Sequence, residues 1–450
     1  MNTPVFNKLK EYYEKDFSSF HTPGHKNKAE SLISLMNEIY KFDQTEVEGL
    51  DSLYEASGII KESEENAAKV YDTKRSLYST GGCTQAIKAM LKLSLPSGGK
   101  LLTGRIIHNS AISAMGELKI DPVFLYNKIR GSFYEALSSE QIKEALVKDK
   151  EIKAVYLTSP DYYGIMSNIK EISKITKQYN IPLIIDCAHG SHLKFLRDDL
   201  DPINLGADMS ADSLHKTLPV LTGGAVLNIN NEKYLDDAKC AMKFFGSTSP
   251  SYRLMASIDL CMAWLDKKGR KSFLLLEEKI GEIKNYAKNL GYSLPQGLND
   301  PVRLALNTDN FNVSSKLITE ILHENKIEPE YVSGNNFILI PSPFNDDKDF
   351  ERLKSALLKI SEISSKENQD QKMNIHEQYF LTPKKQLSLN EALFCDYEYI
   401  DVNKSTGRIC LETVSVCPPG IPIIIPGEII NKEIKENLIK SFINKVKVLK

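Results

Sequence analysis

The sequence predicts an α/β protein: a large unit built on a mostly parallel sheet, a smaller α+β unit and an α+β C-terminal unit. Three observations carry this. From about residue 66 to 265, short apolar runs alternate with amphipathic segments, the pattern of a parallel sheet covered by helices on both faces. From about 270 to 365 the pattern changes to a long charged helix followed by short strands. Then Ser364-Ser365-Lys366-Glu367-Asn368-Gln369-Asp370-Gln371-Lys372 is polar and poor in apolar side chains, as linkers are.

In chain order, residues 1–65 read as an arm. It holds an amphipathic opening, the turn-like His21-Thr22-Pro23-Gly24-His25-Lys26, and a helix through Leu32, Ile33, Met36 and Ile39. Around and within the large unit, 66–265, a helix is expected from Glu64 to Tyr71 and strands at residues 101–103, 122–125, 154–157, 182–186 and 224–229. A helical pattern runs from 169 to 179. The smaller unit, 270–365, should hold helices at 272–290 and 347–363 and strands at 303–306 and 337–340. A linker at 366–376 leads to the last unit, 377–450. That unit contains Cys417-Pro418-Pro419-Gly420-Ile421-Pro422 and ends in a Lys-rich amphipathic helix.

Composition narrows the function. A chain of 450 residues can bury two or three cores. A net charge of −2 implies no nucleic-acid or membrane-surface partner. No apolar run reaches the ~18 residues of a membrane span, and Met1 to Lys8 lacks the plan of a signal peptide. The seven cysteines are scattered, odd in number and without a CxxC pair. Neither a disulfide framework nor a metal site is expected, and a reducing cytoplasm fits.

The chemistry centres on two segments thirty residues apart. The run Ile181-Pro182-Leu183-Ile184-Ile185 ends in Asp186, and Lys216 sits in Asp212-Ser213-Leu214-His215-Lys216-Thr217. Alone, Lys216 reads as a solvated lysine and Asp186 as a cap or turn residue. Together they match a pyridoxal phosphate site. A carboxylate after an apolar run is costly to bury without a partner, and a protonated pyridine nitrogen is such a partner. The lysine forms a Schiff base once burial and a neighbouring cation favour its neutral form. Ala188 is small enough for a ring to lie against the backbone. His189 and His192 are either core residues or ligand contacts.

Two further segments fit that site. Ser79-Thr80-Gly81-Gly82-Cys83-Thr84-Gln85 precedes a helical pattern, so its free amides and helix dipole can hold a phosphate. Ser213 and His215 offer that phosphate a second set of donors. His108 follows a strand and opens another helix. It reads either as a helix-terminal residue or as a ring stacked on the pyridine face opposite Ala188.

These segments together resemble the Orn/Lys/Arg decarboxylase family in its short form. The resemblance runs over nearly the whole chain, through Thr22 to Lys26, Phe42 to Asp51, Gly81 to Thr84, His108 to Ser110, Thr158 to Gly164, Asp186 to His192, Ser213 to Leu218, Ser247 to Tyr252 and Pro418 to Pro422. It implies the aspartate-aminotransferase-like fold, PLP fold type I, with pyridoxal phosphate as cofactor. It implies Lys216 as the Schiff-base lysine, Asp186 as partner of the ring nitrogen and His108 as the stacking ring. Gly82, Cys83, Thr84, Ser213 and His215 would hold the phosphate, and His189 would lie near the cofactor hydroxyl or the substrate. A homodimer or larger assembly is implied, with Thr248 to Ser251 reaching the partner's site. The chain departs from the family pattern at Cys83 (usually Ser), Ala86 (Gly), Asn109 (Lys), Cys187 (Glu) and Cys417 (Tyr).

The reaction implied is decarboxylation of a basic amino acid, arginine before lysine or ornithine, giving CO2 and an amine that is a polyamine precursor. Glu330 and Glu412 are candidate anchors for the cationic side chain. The rival readings are an aminotransferase, or other Cα chemistry on the same cofactor, and a catalytically silent relative that binds partners.

Overall fold

The computed structural model describes residues 14–28, 41–311, 313–363, 382–416 and 421–450. The expected helix through Leu32 to Ile39, the amphipathic opening, the polar stretch 364–372 and Cys417 to Gly420 lie outside the described residues.

Eighteen strands are described. The first is β1 (Ser18–Phe20). The large part holds β2 (Arg75–Ser79), β3 (Gly99–Gly104), β4 (Ile120–Leu125), the hairpin β5 (Ile129–Arg130) and β6 (Phe133–Tyr134), then β7 (Ile152–Thr158), β8 (Leu183–Asp186), β9 (Met209–Asp212) and β10 (Ala225–Ile229). The smaller part holds β11 (Leu304–Asn307), β12 (Ile327–Pro329), β13 (Tyr331–Ser333) and β14 (Asn336–Leu339). The C-terminal part holds β15 (Tyr397–Asp401), β16 (Val414–Val416), β17 (Ile421–Ile424) and β18 (Lys445–Leu449).

Seven strands form the central sheet in the order β2-β10-β9-β8-β7-β3-β4. Only β10 runs against its neighbours; the pairs from β9 to β4 are parallel. Alternate residues of each strand enter opposite cores. Leu102, Val155, Leu183, Ile185 and Val226 pack with Ile142, Ile172, Ile258 and Phe273 on one face. Leu101, Ala154, Ile184, Met209 and Leu227 pack with Ile87, Met90, Ile112 and Met115 on the other.

Two strands of this sheet, β2 and β9, were not expected, because half their side chains are polar. Several of those side chains bond one another along and across the sheet. Asp212 Oδ2 accepts from Ser210 Oγ at 2.5 Å and from Asn228 Nδ2 at 3.1 Å, and Ser76 Oγ donates to Asn228 Oδ1 at 2.6 Å. Buried polar side chains that find hydrogen-bond partners in the neighbouring strand do not disrupt a strand.

The helix expected from Glu64 begins earlier and spans Ile59–Tyr71. Its start is set from a distance: Asp51 Oδ2 accepts the amides of Gly58 at 2.8 Å and Ile60 at 3.1 Å. The helix Asp347–Ser361 starts where its own sequence says. Asp346 and Asp349 each accept the other's amide in a reciprocal cap.

In the smaller part, β11, β14 and β13 form an antiparallel sheet in that order, and β1 of the arm pairs with β12 in parallel. The C-terminal part pairs β15 with β18 and β16 with β17 around its own core of Val402, Cys410, Ile423, Ile434 and Val446. The last unit was expected to end in a helix, and it does not. The Lys-rich helix is Lys432–Lys440, and β18 follows it. Lys445-Val446-Lys447-Val448 alternates with period two, and both valines are buried. Among the described residues no helix is long and apolar enough to cross a membrane.

Candidate active site

The carboxyl ends of β3, β7, β8 and β9 open on a single cavity of about 220 Å³, where ligands of open parallel sheets bind. Gly82, Cys83, Thr84, His108, Asp186, Ala188, His189, Ser213, His215 and Lys216, expected around one cofactor, all line it. Thr248 does not; it lies in an exposed bend outside the cavity of its own chain.

Asp186 ends β8 and is 1% exposed. Tyr156 Oη donates to its Oδ2 at 3.0 Å and the amide of Ala188 to its Oδ1 at 3.1 Å. Burial, and then the Asp186 charge, hold the Tyr156 phenol well above its ordinary pKa, so it stays a donor. The carboxylate is thus held in place by two donors, with acceptor capacity left over.

Lys216 sits on the one-turn helix Leu214–Thr217. Its Nζ lies 2.9 Å from His189 Nε2. Desolvation lowers the pKa of Lys216, opposed by Cys83, Asp186 and Glu330. The turn of the arm docks directly on this segment. The Gly24 amide donates to the His215 carbonyl at 2.8 Å, and Ser342 Oγ donates to the Gly24 carbonyl at 2.6 Å.

The helix Gly82–Ser94 points its first turn at the cavity, and Gly81 at its N-cap supplies no side-chain hydrogen bond. Gly82 has φ of +70°, a conformation costly for other residues. Ser213 Oγ and His215 Nδ1 are 3.3 Å apart on the facing wall. The Cys83 thiol donates to the Ala211 carbonyl at 3.4 Å, and desolvation raises its pKa well above the ordinary value. His108 is the helix-terminal residue expected. Its Nδ1 accepts the Ser110 amide at 3.2 Å as the cap of the helix Asn109–Glu117, and its ring borders the cavity. His192 is a core residue, 1% exposed, bonded to Asp300 Oδ1 at 3.1 Å.

Of the two acidic anchors, Glu330 stands behind the cavity wall. It accepts from Tyr162 Oη at 3.1 Å and from the Thr22 amide at 2.9 Å. Glu412 is not at the site: its carboxylate accepts the Lys447 amide at 2.6 Å within the C-terminal part, and it does not line the cavity.

Sequence reasoning missed Tyr156, Arg303 and Ile421. Tyr156 had a signal, being the one aromatic in an otherwise aliphatic strand core. Ile421 lay within the proline motif of the C-terminal unit without being read as a site residue, and Arg303 had no signal, since only the fold brings it behind His189.

The donor set fits pyridoxal phosphate on this structure's own terms. An uncapped helix N-terminus with hydroxyl and imidazole groups opposite suits a phosphate, a buried carboxylate suits a protonated ring nitrogen, and a desolvated lysine amine stands between them.

The family model for the Orn/Lys/Arg decarboxylase major domain matches residues 3–292, and the model for that family's C-terminal domain matches residues 366–447. An arginine decarboxylase of Bacillus subtilis is 28% identical over 96% of this chain and 92% of its own length. An arginine decarboxylase of Bacillus anthracis is 27% identical over 98% and 93%. Among solved structures, a lysine decarboxylase of Francisella novicida superposes with a TM-score of 0.76 over 99% of this chain and 83% of its own, at 17% identity. A cysteine desulfurase of Thermococcus onnurineus, at TM-score 0.59, covers 80% of this chain, so the fold extends beyond decarboxylases. With both family models matched over most of its length, the chain belongs to the Orn/Lys/Arg decarboxylase family.

Proposed function

We propose that the protein is a pyridoxal phosphate-dependent decarboxylase of a basic amino acid, with arginine the preferred substrate. The observation that carries it is the convergence of Lys216, Asp186 and the uncapped helix at Gly82 on one cavity. The preference for arginine draws support from the arginine decarboxylases aligned over almost the whole chain.

Bound in this cavity, pyridoxal phosphate supplies an electron sink for the pair released when the Cα–carboxylate bond breaks. The residues divide the remaining work. Lys216 would hold the cofactor through its side-chain amine and offer that amine at product release. Asp186, with Tyr156 and the Ala188 amide fixing its oxygens, keeps a proton at the ring nitrogen. The first-turn amides of Gly82, Cys83 and Thr84, with Ser213 and His215, bind the phosphate. Ala188 and His108, both on the cavity wall, would flank the cofactor ring. Ile106, Ile107 and Ile421 line the wall with hydrocarbon and exclude water. Glu330 supplies the negative charge for the substrate's cationic end. Thr248, exposed and outside its own cavity, suits a place at a partner's site in a homodimer.

Incubating the holoenzyme with arginine, lysine and ornithine, and measuring CO2 and amine, tests this reading. CO2 with agmatine formation fastest among the three products is expected. Keto-acid formation without CO2 would establish the aminotransferase instead, and no turnover with a cofactor-free Lys216 would establish the silent relative.

A further inference from the structure

Arg303 immediately precedes β11, 3% exposed, and no part of the reading above uses it. Its guanidinium reaches the back of His189. Nη2 lies 3.4 Å from His189 Nδ1 and 3.3 Å from the His189 carbonyl, and Nη1 lies 3.5 Å from the Tyr162 carbonyl. Behind it, Asp300 Oδ2 is 3.9 Å from Arg303 Nε. Burial alone would raise the Asp300 carboxyl, but His192, Arg303 and Lys284 hold it down to about 2, so it is a fixed counter-charge. The stem of Arg303 is clamped as well. A Cβ on Gly164, whose φ is +85°, would fall 2.7 Å from Arg303 Cβ and Cγ.

We propose that Arg303 is a positioning residue that fixes the proton of His189 on Nε2 and thereby holds Lys216 as a neutral amine. A guanidinium carries only donors, so His189 Nδ1 can only accept from it. A neutral imidazole has one N–H, which must then be on Nε2. Nε2 faces Lys216 Nζ at 2.9 Å, and an ammonium group has no lone pair to accept with. The contact closes only with the amine. The opposite tautomer would set an imidazole N–H against a guanidinium N–H in a buried site, a donor facing a donor, and the Nδ1 contact would be lost. Burial above all, with the Arg303 charge added to it, pushes the His189 pKa well below its ordinary value, in keeping with a neutral ring. A neutral lysine is the form that attacks a carbonyl. That consequence rests on reading Lys216 as the covalent anchor; the tautomer itself does not.

The test uses the full-length, cofactor-free protein carrying 15N-labelled histidine, with the His189 signals assigned by their loss in His189→Gln. A pyridine-type Nδ1 and a pyrrole-type Nε2 are expected. Arg303→Lys, still donor-only, should keep this tautomer. Arg303→Gln can turn a carbonyl toward Nδ1 and should move the proton there. A wild-type His189 protonated on Nδ1, or on both nitrogens, would overturn the proposal; the wild-type spectrum decides it even if the variants fail to fold. A second readout is the pH profile of Lys216 capture by a small aldehyde and borohydride. Cys83, His108, Asp186, Glu330 and His189 face the amine along with Arg303, and only Arg303 changes. The midpoint should rise in Arg303→Gln and stay in Arg303→Lys, and an unmoved midpoint in the glutamine variant would refute the link to Lys216. Failure of the decarboxylase assay would leave these spectra untouched, so the two readings fail separately.

Discussion

Arg105 and Glu428 form a buried two-pronged ion pair, with both nitrogen–oxygen distances 2.8 Å and side chains 1% and 5% exposed. The pair joins the end of β3, just before the cavity residues Ile106 to His108, to the C-terminal part that contributes Ile421 to the same cavity. Phe124 covers the guanidinium at 5.1 Å, and the Ile425 amide donates to Glu428 at 2.9 Å.

Removing one partner leaves an uncompensated buried charge. Arg105→Met or Glu428→Leu alone should cost about 3–5 kcal/mol, while the double replacement by apolar residues should recover most of that loss. Urea unfolding midpoints of the three variants measure it. Additive losses in the double variant would show that the two side chains act independently.

Gly24 should not tolerate alanine. A Cβ there would fall 2.5 Å from the Thr217 carbonyl carbon and 2.7 Å from the Leu218 nitrogen, both backbone atoms that cannot swing aside. Gly24→Ala should cost about 1–3 kcal/mol. It should also lift the arm from the lysine segment, read as a faster proteolytic cut near residue 26 together with lower turnover.

Lys26 makes docking of that turn depend on pH. Its ammonium donates to the Ile340 carbonyl at 2.8 Å and to the His21 carbonyl, but burial pushes its pKa down to about 7 despite Glu330 nearby. Between about pH 7 and its ordinary value of 10.5, the unfolded chain carries a proton that the folded chain has lost. Stability should therefore rise with pH across that window, and the contribution should vanish below it. Thermal melts of Lys26→Met should lose this slope relative to the parent.

Glu330→Gln should raise KM for the basic substrate roughly 10- to 100-fold, the loss of a charge-assisted hydrogen bond, with a smaller change in kcat. Steady-state kinetics on arginine separate the two. An unchanged KM would remove Glu330 as the anchor.

Lys216→Ala should abolish turnover and the borohydride-stable link to cofactor while leaving the urea midpoint close to that of the parent. Retained CO2 release would refute the anchor assignment.

The parts of the site legible in the sequence were those whose chemistry sits within a few neighbours: Asp186 after its apolar run, Lys216 among hydroxyls and imidazoles, the glycine turn before a helix. Strand β8 and the helix from Asp347 were readable for the same reason, through period and caps. What stayed hidden depends on partners far along the chain. Strand β9 looked too polar until Asn228 and Ser76 met Ser210 and Asp212 across the sheet. The helix at Ile59 takes its cap from Asp51, and Glu412 looked free until the Lys447 amide claimed it. Arg303 reached His189 across more than a hundred residues.

The cavity wall is drawn from Gly82 to Lys216 and from Ile421, so it is complete only when the large and the C-terminal parts have both folded. A molecule that binds there meets no receptive form in a truncated or half-folded chain. It therefore stabilises the complete molecule as a unit, by about 2.7 kcal/mol at a hundred times its Kd. Supply of that ligand then sets how much finished protein survives in a cell where unfolded chains are degraded. The abundance of the protein becomes a reading of the ligand's concentration.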